Sequence, residues 1–263
     1  MYHLRIISRF VKASIQNEMA FSSNFWISLL NSFLALGTGV LGIYVLFQQV
    51  ETVEGWDFPS TLAILGDYLT LGGLRRLFIG PSLDSMAGMD GEVWSGKFDF
   101  SLLRPVDIQF QASFRYWQPL AAVDLTIGLS VIGFAVDQLG STFAFSSLCA
   151  FLLSITFGIV IMYSILLGLS GLVFWSPGFL FTWIFDSLFQ LARYPVGLYP
   201  WWLRMMLTWV IPVGVMTTFP AQALSGSLTI KTLILEILLA LILLVGTSLF
   251  FRAGIRRYAS ASS

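Results

Sequence analysis

Residues 25–47 read FWISLLNSFLALGTGVLGIYVLF, an uninterrupted apolar run without one charged side chain. As a helix rising 1.5 Å per residue it extends for about 34 Å, enough to cross the roughly 30 Å of hydrocarbon in a bilayer. The run lacks a convincing small-x-small cleavage site, so it reads as an uncleaved first span and not as a signal peptide. The rest of the 263-residue chain agrees, with 57% hydrophobic and 11% charged residues. A soluble domain carries about a quarter charged residues. This chain could not coat a water-facing surface, which excludes a soluble enzyme.

Upstream, Leu4, Ile7, Val11, Ile15 and Met19 recur at helical spacing, with Arg5, Arg9, Lys12 and Gln16 between them. This pattern predicts a helix over residues 1–22 lying in the membrane interface, its bases toward lipid head groups. Downstream, further apolar stretches predict spans near Thr61–Ile79, Trp117–Phe134, Phe145–Phe174, Phe179–Leu191 and Leu233–Phe251. The segment 193–228 is different. Tyr194, Tyr199, Trp201 and Trp202 stand among prolines, and Met205–Met216 is short and broken by Pro212. A re-entrant helical hairpin, ending at Phe219-Pro220, fits it better than a crossing.

The expected fold is therefore all-α, a single polytopic membrane domain over 1–263 with about six transmembrane helices. Placing the N-terminus in the cytoplasm puts eleven of the 14 Lys and Arg on that side, leaving only Arg193, Arg204 and Lys231 outside. Both termini and the polar segment 81–115 are then cytoplasmic.

Zero net charge gives no reason to expect nucleic acid as a partner. Cys149 and His3, the only residues of their types, exclude a Cys-based metal site and offer no metal-binding cluster. Gly91-Glu92-Val93-Trp94-Ser95-Gly96-Lys97-Phe98 copies the spacing of a phosphate-binding loop. It ends in Phe where magnesium needs a Ser or Thr hydroxyl, and no strand precedes it, so no nucleotide site is expected on this chain.

The same segment carries a more specific pattern: Gly96, Lys97, Asp99, Leu102, Arg104 and Pro105, followed much later by the run Tyr194–Arg204 with Ile211-Pro212 and Phe219-Pro220-Ala221. Together these resemble the permease subunits of the ABC-2 type export family, in the branch of small six-span permeases encoded apart from their ATPase. The resemblance implies a bacterial-type inner membrane, a homodimer or a heterodimer with a related permease, and two copies of a separate ABC ATPase that binds ATP and Mg. It also implies that 81–115 carries a coupling helix seated in the ATPase. Met86, Met89, Val93 and Trp94, amid Glu92 and Lys97, would be its apolar anchors. Asp99 and Arg104 are placed to pair and brace the loop, with Pro105 leading into the third span. The plain alternative is a solvated loop with a surface helix.

Acids within or near the spans are Asp67, Asp124, Asp186 and Glu236. Pairing with Arg115 and Lys231 would account for Asp124 and Glu236. Asp67 and Asp186 remain as candidates for a polar pathway or an interhelical hydrogen bond. The aromatics Tyr194, Tyr199, Trp201 and Trp202 form either an interface belt or an outer gate. An ion-coupled carrier using Asp67 and Asp186, and a membrane assembly protein without transport, stand as alternative functions. No H-E-x-x-H or G-x-S-x-G string suggests an intramembrane enzyme.

Overall fold

The structure is a computed structural model that describes residues 2–19, 22–140 and 145–258. The side chains of His3, Leu4 and Met19 lie outside the described residues. Among the described residues the elements are helical: α1 (Tyr2–Met19), α2 (Ser22–Phe47), α3 (Phe58–Leu74), α4 (Gly80–Asp84), α5 (Phe98–Leu102), α6 (Ile108–Phe114), α7 (Ala122–Leu139), α8 (Phe145–Gly171), α9 (Thr182–Phe189), α10 (Trp201–Met205), α11 (Val213–Leu224) and α12 (Ile230–Arg257).

Four of them, over Trp26–Phe47, Pro119–Leu139, Phe145–Phe174 and Ile230–Arg257, are long and apolar enough to cross a membrane. The pair Trp201–Val210 and Val213–Leu224, bent by 89°, raises the number to five if it counts as one broken span. Among the described residues, four to five helices thus have the length and apolarity of a span. The expected span at Thr61–Ile79 is α3 followed by a π turn at Arg75–Ile79, and Asp67, Arg75 and Arg76 interrupt its apolar length. The expected span Phe179–Leu191 is the eight-residue α9, about 12 Å long.

α3 is the central post. Asp57 caps it by accepting a hydrogen bond from Ser60 N–H at 3.0 Å, and a proline in the first turn presets the backbone. Nearly every residue from Ser60 to Gly73 is then buried. α7 lies against it closely because Gly128 meets the Thr70 backbone: an added Cβ would fall 2.5 Å from Thr70 N. Small residues allow such approach where lipid supplies no hydrophobic drive between helices. α8 and α12 run parallel, joined toward their start by Ser154 and Glu236 and further along by Gly168 on Thr247 and Gly171 on Phe250. The contacts of these two glycines are therefore within the chain. α11 sits between α3 and α8, with Met216 against Gly158.

Two ends of the bundle are distinct. One holds the acidic turn around Glu54. The other gathers segment 75–118, the 172–181 turn, α1 and the end of α12. There Tyr258 packs edge-on against Phe98, and Ser14 Oγ of α1 accepts from Trp117 N–H at 3.1 Å. In α1, Arg5, Arg9 and Lys12 are exposed and Ser14 is buried. Residues 182–197 join the two ends: Asp186 pairs with Arg75 at the lower end, and Gly197 lies against Glu54 at the upper. The bent pair breaks at Ile211-Pro212, and its second arm does not stop at Phe219-Pro220. Pro220 is accommodated inside α11, which runs on to Leu224.

Candidate functional site

Segment 80–118 is a folded cap on the lower end. Ser82 Oγ accepts from Tyr116 N–H (2.8 Å) and donates to Tyr116 O (3.0 Å), stapling the start of the segment to its end. Between them, buried Glu92 is a hub. Its carboxylate takes Arg115 Nη1 at 2.8 and 3.0 Å, the Tyr116 hydroxyl at 2.8 Å and Ser101 Oγ at 3.3 Å. Burying a carboxylate is tolerable only when charge-assisted donors replace its water, and here they do. Burial, with the Glu92 carboxylate beside it, raises the Tyr116 phenol above its ordinary value. Asp107 caps α6 through Phe110 N–H at 2.9 Å, and Gln111 donates to Val106 O at 3.0 Å. The brace of the segment is therefore Glu92–Arg115.

Residues 85–97 wind through turns around Glu92, between the short helices α4 and α5, so the expected anchors do not share one helix. This sorts the expected anchors into two groups. Met86 and Val93 are 2% and 4% exposed, inside the core, and neither is free to meet a partner. Met89 and Trp94 are 77% and 56% exposed. They are joined by Phe100 and Leu103, 68% and 81% exposed, which the sequence reading did not select. Their signal was the spacing: Phe98 and Ser101 face inward on α5, so Phe100 and Leu103 face out. Lys97, Arg104 and Pro105 are exposed around this apolar tip, and Asp99 is half-buried. Pro105 lies in the turn before α6, so the proline that opens the third span is Pro119. Trp94 rests on Gly178, whose φ of +90° and lack of Cβ let the 172–181 turn approach the ring.

The acids separate as well. Asp124 pairs with Arg76 (3.0 Å) and accepts from Ser32 Oγ; Arg115, its expected partner, is taken by Glu92. Glu236 accepts from Ser154 Oγ at 2.7 Å and makes no ion pair with Lys231. Asp186 bonds Arg75 at 3.0 Å, and Arg75 also reaches Asp84 at 3.5 Å. Burial raises the Asp84 carboxyl above the usual range while Arg75 opposes it. Asp67 is fully buried in α3, within Coulombic reach of Glu236, and neither of its oxygens has a hydrogen-bond partner among the described residues. Asp186 is thus ion-paired, whereas the Asp67 carboxyl has no hydrogen-bond partner among the described residues. Among the aromatics, Tyr194 puts its hydroxyl against Gly42, and Tyr199 donates to Leu191 O at 2.8 Å. Trp201 and Trp202 are exposed on α10.

The family described as ABC-2 family transporter protein matches residues 33–262, a range that includes the whole cap, most of the first span and all the later helices. No curated protein and no solved structure matches the chain.

Proposed function

The chain belongs to the ABC-2 transporter family, and from that premise we propose that it is the transmembrane permease subunit of an ATP-driven exporter. ATP and Mg bind to a separate ABC ATPase, and this chain supplies the path and the docking surface, with no catalytic residue of its own. The observation that carries this reading is the exposed apolar tip of Met89, Trp94, Phe100 and Leu103, held on a cap whose interior is fixed by the Glu92 hub. Aromatic and large apolar side chains at the centre of a charged rim are what a protein interface uses for affinity. A rigid base beneath them lets a push on the tip reach the helices. Through Arg115 and Tyr116 the hub leads to Pro119 and α7; through α4 it leads to α3.

On this reading the cap faces the cytoplasm of a bacterial-type inner membrane, with both termini beside it, and the basic residues concentrate there. Six crossings follow if residues 182–197 make the fifth as a short pass, a view supported by their contacts with Arg75 below and Glu54 above. Two permeases, identical or related, would enclose the path and carry two ATPase copies. The substrate class that suits such apolar walls is hydrophobic, amphipathic or glycan–lipid. A photo-crosslinking residue at Leu103 should capture a nucleotide-binding subunit in the native host. The same residue at Leu238, on the lipid-facing side of α12, should not. Equal capture at both sites, or capture of no such subunit at Leu103, removes the docking assignment.

A second reading, ion-coupled transport, is favoured by the unpartnered Asp67 facing Glu236. Transport that survives vanadate but collapses with the ion gradient would select it.

A further inference from the structure

Three cavities converge on one side chain. Arg76 lines a cavity of about 460 Å³ between α1, α2 and residues 116–121, another of about 420 Å³ along α4, and a third of about 320 Å³ between α2, α3 and α9. It sits in the π turn Arg75–Ile79, a distortion often found at functional sites. The two neighbouring arginines are used differently. Arg75 is covered, ion-paired to Asp84 and Asp186 and placed over the Phe185 ring. Arg76 is 39% exposed, gives one nitrogen to Asp124 and lines all three cavities, with donors beyond the one that Asp124 takes.

Across the largest cavity stands Glu18 of α1, whose Oε2 accepts from Leu120 N–H at 3.0 Å. Asn17 and Gln118 add neutral polar wall. This cavity lies behind α1 at the start of the apolar helix Trp26–Phe47, where a spanning helix would meet the head-group layer. From its edge α2 rises with Ser28 turned toward the cavity and Trp26, Ile27, Leu30, Phe33 and Leu34 exposed beside it. A cation, an anion and an apolar track therefore meet at one place. A ligand carrying phosphate, ammonium and acyl chains satisfies all three. An anionic lipid without an amine would leave Glu18 facing its phosphate, and a simple cation would leave Arg76 unanswered.

We infer that this cavity binds the head group of a zwitterionic phospholipid from the adjoining leaflet. Its phosphate meets Arg76, its ammonium meets Glu18, and its acyl chains lie along α2. The site requires only that the chain sit in a membrane, so it stands or falls independently of the ATPase partner.

The test is native mass spectrometry of the full chain, purified in detergent and delipidated. It is titrated separately with phosphatidylethanolamine and phosphatidylglycerol, and with inorganic phosphate as competitor. The expected result is a preference for phosphatidylethanolamine of about tenfold, the scale of one charge-assisted contact. Glu18→Gln should abolish that preference, weakening phosphatidylethanolamine and relieving the repulsion of phosphatidylglycerol, and Arg76→Gln should weaken both lipids. Because Arg76→Gln also strands the buried Asp124, Arg76→Lys and the isosteric Glu18→Gln decide the matter, each checked for an unchanged unfolding temperature. Equal retention of both lipids by the unaltered chain, or a preference that persists in Glu18→Gln, overturns the assignment. Displacement of the lipid by inorganic phosphate alone overturns it in favour of a free-phosphate site.

Discussion

Met86 and Met89 lie three residues apart in the same polar segment, and one is core while the other stands in solvent. Val93 and its neighbour Trp94 repeat the contrast. The inner pair packs beneath the Glu92 hub with Phe98 and Phe174, whereas the outer pair joins Phe100 and Leu103 on the tip. The difference teaches what the cap is: a small folded layer whose inner face stores stability and whose outer face is free to bind. Residue type does not separate the two faces; the buried carboxylate around which the chain turns does.

The largest blow to the inner face is Glu92→Ala. It strands Arg115 and the Tyr116 hydroxyl without their partner, and breaking a buried ion pair from one side costs about 3–5 kcal/mol. Thermal unfolding in detergent should register a marked drop; a shift no larger than that of a surface change would mean that the hub is dispensable. Met86→Ala comes next, at about 2–5 kcal/mol for a buried truncation. Met89→Ala should stay within about 0.5 kcal/mol. Similar losses at both methionines would erase the comparison.

A smaller, pH-dependent effect should appear where α1 meets the cap. Burial raises Glu18 above its ordinary 4.5, with the Leu120 N–H pulling the other way. The folded chain then binds more protons at Glu18 than the unfolded one. Its contribution is fully present below pH 4.5 and is lost as pH rises through the raised value. The unfolding temperature of the native chain relative to Glu18→Gln should therefore fall over that window. A rise would show that Leu120 N–H outweighs burial.

Much of the bundle was legible in the sequence, because residues 26–47, 145–174 and 237–251 carry no charged side chain and lipid demands that pattern. The bend at Pro212 was legible for the same kind of reason, a missing backbone donor. What could not be read was anything set by pairing across the bundle. Nothing near Glu92 in sequence announces Arg115, and nothing near Asp124 announces Arg76. The segment 182–197 has two ion-pairing or glycine contacts at opposite ends of the bundle but too little helix to register as a span. The tip was half legible: Met89 and Trp94 stood out as large apolar residues among charges. Phe100 and Leu103 were hidden in a string whose inward and outward sides depend on a five-residue helix.

The central claim, that the outer face of the cap is the dock for an ATPase, is most directly tested by one comparison of purifications. The tagged chain and its Phe100→Asp, Leu103→Asp variant are recovered from the native host in mild detergent, and vanadate-sensitive ATP hydrolysis is measured on each. The account predicts a nucleotide-binding subunit and ATPase activity with the unaltered chain, both lost in the variant while its unfolding temperature is kept. An unaltered chain that comes down without any ATPase, or a variant that retains one in full, would contradict it.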